Sequence, residues 1–324
     1  MNLRARWVGF WNTREYADSL ALVRILLPMV VLWDLCQVWR LSLIRVLWAP
    51  VEEGGLGPAS YEEPLIWFYP RYGATMHSTL WLYGLTVAFA VMLMVGLFSR
   101  TSALALLLLY AQLETLSPDA DRGIDTLLRN VMCILVFSRA GATFSVDARL
   151  RYKTFCSDVL VPAWPRYLVI TQLIILYFFA GLAKDAASWS WRGSYVALFY
   201  VLHEPHHARF LIPHQALVWA YPLTQIGTLT TVLWERAAVL LPLLMWLRNT
   251  RERGTKWHVW ANKLRLLELW IGTGVFFHLM LAVFLSLGIF PWGCLALYPA
   301  FARPTTLRQW WRRIRARTLS PMAA

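Results

Sequence analysis

Charge is scarce in this chain. Asp, Glu, Lys and Arg make up 15% of its 324 residues, against about a quarter in an ordinary soluble domain, and a water-soluble globular protein is thereby excluded. Cysteine is scarcer still: Cys36, Cys133, Cys156 and Cys294 are widely separated and form neither a disulfide framework nor a C-x-x-C metal signature. The chain has no G-x-x-x-x-G-K-[ST] loop and no G-x-G-x-x-G after a strand, so nucleotide binding has no support. A G-x-S-x-G elbow is missing too, and no spacing singles out a catalytic carboxylate pair. There is no repeat of fixed period and no low-complexity segment. The first 18 residues are polar and basic, and the apolar run behind them is as long as a full span, so no cleavable signal peptide is expected.

What is abundant is apolar surface. Hydrophobic residues reach 58%, with 19 tryptophans and a mean hydropathy of +0.48. Tryptophan collects at membrane–water boundaries. A spanning helix needs about 20 mostly apolar residues, and eight such segments can be drawn, at 19–38, 79–98, 102–117, 126–143, 167–184, 224–247, 266–288 and 290–302. The expected fold is therefore all-α, a polytopic integral membrane helical bundle of about eight transmembrane helices. Its expected parts are a cytoplasmic amino-terminal segment (1–18), a membrane domain (19–302) and a basic cytoplasmic tail (303–324).

With the amino terminus inside, basic residues outside the spans favour the inner side by about three to one, as the positive-inside rule requires. Both termini are then cytoplasmic, and a bacterial inner membrane suits this pattern. Stretches such as RNTRERGTKWH and RQWWRRIRAR read as inner-face segments that hold topology and touch anionic lipid headgroups. The net charge of +13 needs no nucleic-acid partner. The outer side carries residues 39–78, with Glu52, Glu53, Glu62 and Glu63, the acidic stretch SPDADRGID, and residues 185–223 with most of the histidines.

Ionisable residues inside spans are costly and each needs a partner. Arg24 and Asp34 share the first span, but ten residues set them about 80° apart and about 15 Å along the axis, so each must pair elsewhere. Arg24 is expected in a structural ion pair, and Glu235, mid-span, is one possible partner. His278, in the seventh span, reads first as a hydrogen-bonded core imidazole. In HEPHH, His203 to His207, Pro205 breaks the register a metal site would use, and no metal is expected. Asp119 and Asp121 read as ordinary loop carboxylates. Lys184 ends an apolar run at the outer boundary and leaves two readings open: a snorkelling ammonium, or a partly desolvated amine that removes a proton.

Five stretches in order carry a resemblance. SLALVRILLPMVVLWD holds Arg24 and Asp34, GLFSRTS holds Arg100, FSVDARL holds Ser145, Val146 and Asp147, YFFAGLAK holds Tyr177 and Lys184, and FFHLM with FLSLGIF holds His278 and Gly288. Together they resemble the horizontally transferred transmembrane (HTTM) family, best known from the vitamin K-dependent gamma-glutamyl carboxylases. The resemblance implies that Lys184 is the catalytic base acting on a lipid quinol, vitamin K hydroquinone or menaquinol-like, with lyase and oxygenase chemistry to follow. The family's outer Asn-Asn-His reads here as Arg122, Gly123 and Ile124, and its lumenal carboxy-terminal domain is not expected in this chain. Arg122 and Asp125 are expected as a substitute polar pair lining the pocket with Tyr177 and His278, facing Lys184. A non-redox factor that matures or handles a secreted peptide, with a small dedicated partner, is the second reading. A transporter or lipid-binding protein is the third.

Overall fold

The computed structural model describes residues 8–9, 11–57, 65–210 and 212–319. Arg4, Arg6, Glu62 and Glu63, and the side chains of Arg315 and Arg317, lie outside the described residues. The chain is helical nearly throughout. Among the described residues a single small ribbon interrupts this, strand β1 (Arg14–Tyr16) antiparallel to β2 (Leu160–Pro162), with Glu15 opposite Val161.

Among the described residues five helical stretches are long and apolar enough to cross a membrane: Asp18–Arg40, Met76–Val95, Trp164–Ala183, Tyr221–Asn249 and Lys256–Phe284. Trp81, Phe179, Leu269 and Phe276 project from them, each about 60% exposed, as lipid-facing residues do when the surrounding solvent is apolar. Of the other three expected segments, two come out shorter. Residues 102–116 lie in the helix Ser99–Leu116, with Ser117 just past its end, whereas 126–143 is cut back to Gly123–Phe137, and 290–302 divides into Phe290–Leu297 and a 3-10 turn, Tyr298–Phe301. Fifteen helical residues reach about 22 Å, less than a hydrocarbon core of about 30 Å.

The chain forms two compact units, residues 1–170 with 296–324, and residues 171–295. In the first, helix α1 (Asp18–Arg40) packs on α2 (Met76–Val95), α2 on α3 (Ser99–Leu116), and α3 on α4 (Gly123–Phe137). Thr75 and Ser78 start α2 with a reciprocal capping box, which satisfies orphan amides of the first turn. The short helix α5 (Val146–Tyr152) follows, then α6 (Trp164–Ala183), whose first turns belong here. Arg166 binds both oxygens of Glu15, at 2.6 and 2.7 Å, and the Ala300 carbonyl at 2.9 Å. Residues Pro304–Leu319 are helical, and Arg308, 4% exposed, reaches Asp18 at 2.8 Å and the Ser157 carbonyl at 2.6 Å.

The second unit holds the rest of α6, then α7 (Ala197–His203), α8 (Tyr221–Arg236), α9 (Leu241–Asn249), α10 (Lys256–Lys263), α11 (Leu266–Phe284) and α12 (Phe290–Leu297) as far as Leu295. The span expected at 224–247 is not one α-helix: α8 passes into a 3-10 turn, Ala237–Leu240, before α9. Pro242, in the first turn of α9, has no N–H to continue the α8 ladder. α8 and α11 are joined by a reciprocal pair: Trp234 Nε1 donates to the Trp270 carbonyl at 2.9 Å, and Trp270 Nε1 donates to the Trp234 carbonyl at 3.0 Å. Their rings stack with centroids 4.9 Å apart.

Candidate functional site

The run YFFAGLA keeps α6 helical up to Ala183, so Lys184 lies immediately past its end. Gly181 is small for a reason: a Cβ there would stand 2.9 Å from Glu235 Cβ and 3.0 Å from the Arg236 backbone nitrogen. Without that atom α8 can approach closely, and Arg236 Nε donates to the Gly181 carbonyl at 2.9 Å. A cation on the last carbonyls of α6 also suits the negative end of the helix dipole. The same approach delivers Glu235 to Lys184. Nζ donates to Oε1 at 2.8 Å and lies 2.7 Å from Oε2. It also meets the Ala180 carbonyl at 3.3 Å and sits 5.2 Å from the centre of the Trp189 ring. The lysine side chain is 21% exposed and the glutamate 5%.

This pairing replaces the one considered for Glu235. Arg24 finds its partners in its own unit, and they are carbonyls rather than a carboxylate. Nη1 donates to Leu93 and Met94 at 2.6 and 2.8 Å, and Nη2 to Phe144 at 2.5 Å. The guanidinium therefore caps the carboxy-terminal end of α2, where unpaired carbonyls and the helix dipole favour a cation.

Two turns before Lys184 on the same face of α6, Tyr177 Oη lies 2.7 Å from His278 Nε2, and both residues are buried. Trp234 packs on the Tyr177 ring with centroids 4.6 Å apart, and Phe290 lies 5.8 Å from the His278 ring. A cavity of about 360 Å³ is lined by Asp185, Trp189, Trp191, Tyr195, Leu233 and Arg236, among others, the chain neighbours of Lys184 and Glu235 rather than those two residues themselves. Aromatic and aliphatic walls with a few converging charges are the usual make-up of a small-molecule site.

The expected pocket residues Arg122 and Asp125 belong to the other compact unit, where they are engaged with each other. Arg122 Nε meets Asp125 Oδ2 at 2.8 Å, and Nη2 meets Asp34 Oδ2 at 2.5 Å. Tyr110 Oη donates to Asp125 Oδ1 at 2.7 Å. Burial works against the guanidinium's charge, yet its hydrogen bonds to Asp125 and Asp34 prevail and hold its pKa above the ordinary arginine value. Asp34 has thus found the partner it needed, across α1 and α4. Glu114, Asp121 and Asp125 bring one carboxylate oxygen each within 4.8 Å of one another, a grouping not visible from spacing. Two already have arginine partners, Arg129 for Asp121 and Arg122 for Asp125.

Arg100 and Asp147 have structural employment as well. Arg100 Nε donates to the Ser138 carbonyl at 2.8 Å. Asp147 accepts from the amides of Phe98 and Ser99 at 2.8 and 2.7 Å and from Ser99 Oγ at 2.7 Å, which caps α3. In HEPHH, His203 Nε2 lies 3.0 Å from His214 Nδ1. The residues missed by sequence reasoning are Trp189, Trp234 and Trp270. Their signal was only a general excess of tryptophan, whereas Glu235 had already stood out as a charge inside a span.

A family description, HTTM domain, matches residues 12–305. No curated protein and no solved structure matches the chain.

Proposed function

Since the chain belongs to the HTTM domain family, a family of multi-pass membrane proteins, we propose that it is a quinol-linked, carboxylase-like membrane enzyme whose proton acceptor is the Lys184–Glu235 pair. The observation that carries this reading is the ion pair itself, 2.7 to 2.8 Å between charged atoms, at a helix end beside an aromatic-lined cavity. The cavity volume of about 360 Å³ falls in the range of small-ligand sites, and its walls fit a flat apolar ring. Trp189 and Trp191 would hold the ring of a vitamin K- or menaquinone-type lipid, and Lys184 its polar edge. When bound, such a lipid supplies an acidic phenolic O–H.

The chain's own groups then act as follows. Lys184 and Glu235 begin as ammonium and carboxylate. A proton arriving at the pair is taken by Glu235 Oε, directly or through Nζ, and the pair changes from neutral to singly positive. The cation left at Nζ stabilises a negative oxygen nearby. Arg236, held on the carbonyls of Gly181 and Lys184, fixes α8 against α6 so that the distance between acid and base is set before any ligand enters. The Tyr177–His278 pair lies deeper and stiffens the helix contact from which the lysine projects.

The topology proposed with this function is eight crossings with both termini cytoplasmic, in a bacterial inner membrane, which places Lys184 at the outer boundary and the basic segments against anionic headgroups. The test is oxidation of vitamin K hydroquinone by dioxygen, catalysed by the purified protein in aerated buffer. Lys184→Ala is expected to abolish turnover while the protein still inserts, and the double variant Lys184→Met/Glu235→Leu, which leaves no buried charge unpaired, is expected to be equally inactive. Normal turnover in either variant ends this reading. One observation favours the second reading, a non-redox factor acting on a secreted peptide. Ile124, where the resemblance places the family histidine, is 1% exposed and apolar, so that position offers no acid–base group. A peptide partner bound without any quinone would support it.

A further inference from the structure

A cavity in the first unit is lined by residues given only structural roles above. It has a volume of about 840 Å³ and lies at the tight turn between α2 and α3, walled by the start of α3 and by the residues from Ser138 through Tyr152. Three arginines line it, Arg100, Arg139 and Arg151, together with Ser99 and Tyr152. Its one carboxylate is Asp147, whose two oxygens are already occupied by the Phe98 and Ser99 donors. Positive charge therefore dominates the cleft. The arginines are also held rather than free to splay. Arg100 is tethered through Nε to Ser138, and Arg139 Nη2 lies 3.1 Å from Tyr152 Oη, leaving other N–H groups of both to serve a ligand.

The lip of the cleft is apolar. Phe98 and Leu150 line it and are 62% and 59% exposed. Phe98 also sits at φ +46°, a left-handed conformation that bulky residues rarely hold. Because α2 is long and apolar enough to span, the turn at its end lies at a membrane boundary whichever way the chain is oriented. Converging arginines are suited to phosphate oxygens by their forked donors, and an apolar lip beside them is suited to an acyl chain.

We infer that this cleft binds the phosphate of an anionic phospholipid, one molecule per chain. The inference is independent of the Lys184 chemistry, since the cleft lies in the other compact unit.

Native mass spectrometry of the protein in neutral detergent, titrated with phosphatidylglycerol, tests it. The protein is expected to take up one tightly held lipid, with phosphatidylcholine binding far more weakly. Arg139→Gln/Arg151→Gln is expected to weaken phosphatidylglycerol binding at least about tenfold, since each charged hydrogen bond lost is worth roughly that much. Arg251→Gln/Arg253→Gln removes the same charge from another basic segment and is expected to change it less than about twofold. Arg151→Gln alone, exposed and outside the Ser138 and Tyr152 bonds, gives a smaller loss without disturbing the turn, and thermal unfolding checks that each variant is folded. Equal losses in the two double variants would overturn the site in favour of diffuse attraction. Inorganic phosphate displacing the lipid at equal concentration would overturn the lipid assignment.

Discussion

At the scale of single residues, Lys184 and Glu235 stand or fall together. Deleting the amine strands a carboxylate that is 4% exposed, and breaking a buried pair from one side costs about 3 to 5 kcal/mol when both partners are dry. Lys184 is about one-fifth exposed, so Lys184→Ala is expected to lose about 2 to 3 kcal/mol, read by thermal unfolding in detergent. Lys184→Met/Glu235→Leu is expected to recover most of that loss, because no charge is left without its counter-ion. A double variant as unstable as the single one would mean that the pair is not the linkage the structure gives. The lysine was visible in the sequence as a cation closing an apolar run. Its partner was not, because whether Glu235 meets Arg24 in the first span or Lys184 at the end of another helix depends on how the helices are set against each other. Sequence reasoning tried Arg24, which in fact satisfies itself on three backbone oxygens that no side-chain pattern advertises.

At the scale of elements, the α2–α3 turn shows why three separate stretches carry the resemblance. Gly96 ends α2 at φ +73°, and a Cβ there would lie 2.3 Å from Ser145 Cβ and 2.6 Å from Arg24 Nη1. Arg24 caps one helix and Asp147 caps the next, so GLFSRTS, FSVDARL and the first helix meet in one joint. Gly96→Ala is expected to cost more than the roughly 1 kcal/mol of its backbone strain alone, because the buried guanidinium must also shift. Asp147→Ala is expected to cost about 1 to 2 kcal/mol through loss of the α3 cap. Chemical denaturation of each variant measures both, and a neutral Gly96→Ala would show that the joint is looser than its distances indicate. Element existence was well signalled by hydropathy, which finds stretches that can leave water. Helix length was less so: 126–143 reads as mostly apolar, yet the helix closes at Phe137, since hydropathy does not register where a helix stops.

At the scale of the whole molecule, charge asymmetry predicts sidedness and hydropathy predicts crossings, but neither reveals the division into two compact units. Arg122 and Asp125 fall in one unit and Lys184 in the other; the resemblance, through the positions that match the family's outer Asn-Asn-His, had suggested all three for one pocket. The proposed orientation has a direct check by cysteine labelling with Cys36, Cys133 and Cys156 replaced and buried Cys294 retained. Arg192→Cys is expected to react with an impermeant maleimide in intact cells, and Arg251→Cys only after permeabilisation. The reverse pattern would invert the topology and put Lys184 on the cytoplasmic side.

The central claim is that the Lys184–Glu235 pair serves a lipid quinol held beside Trp189 and Trp191. It is tested most directly by mass spectrometry of the lipids extracted from the purified protein. The account predicts a quinone close to one per chain, lost when Leu233→Trp fills the cavity. Extracts with phospholipids alone, or a quinone content unchanged by Leu233→Trp, would contradict it.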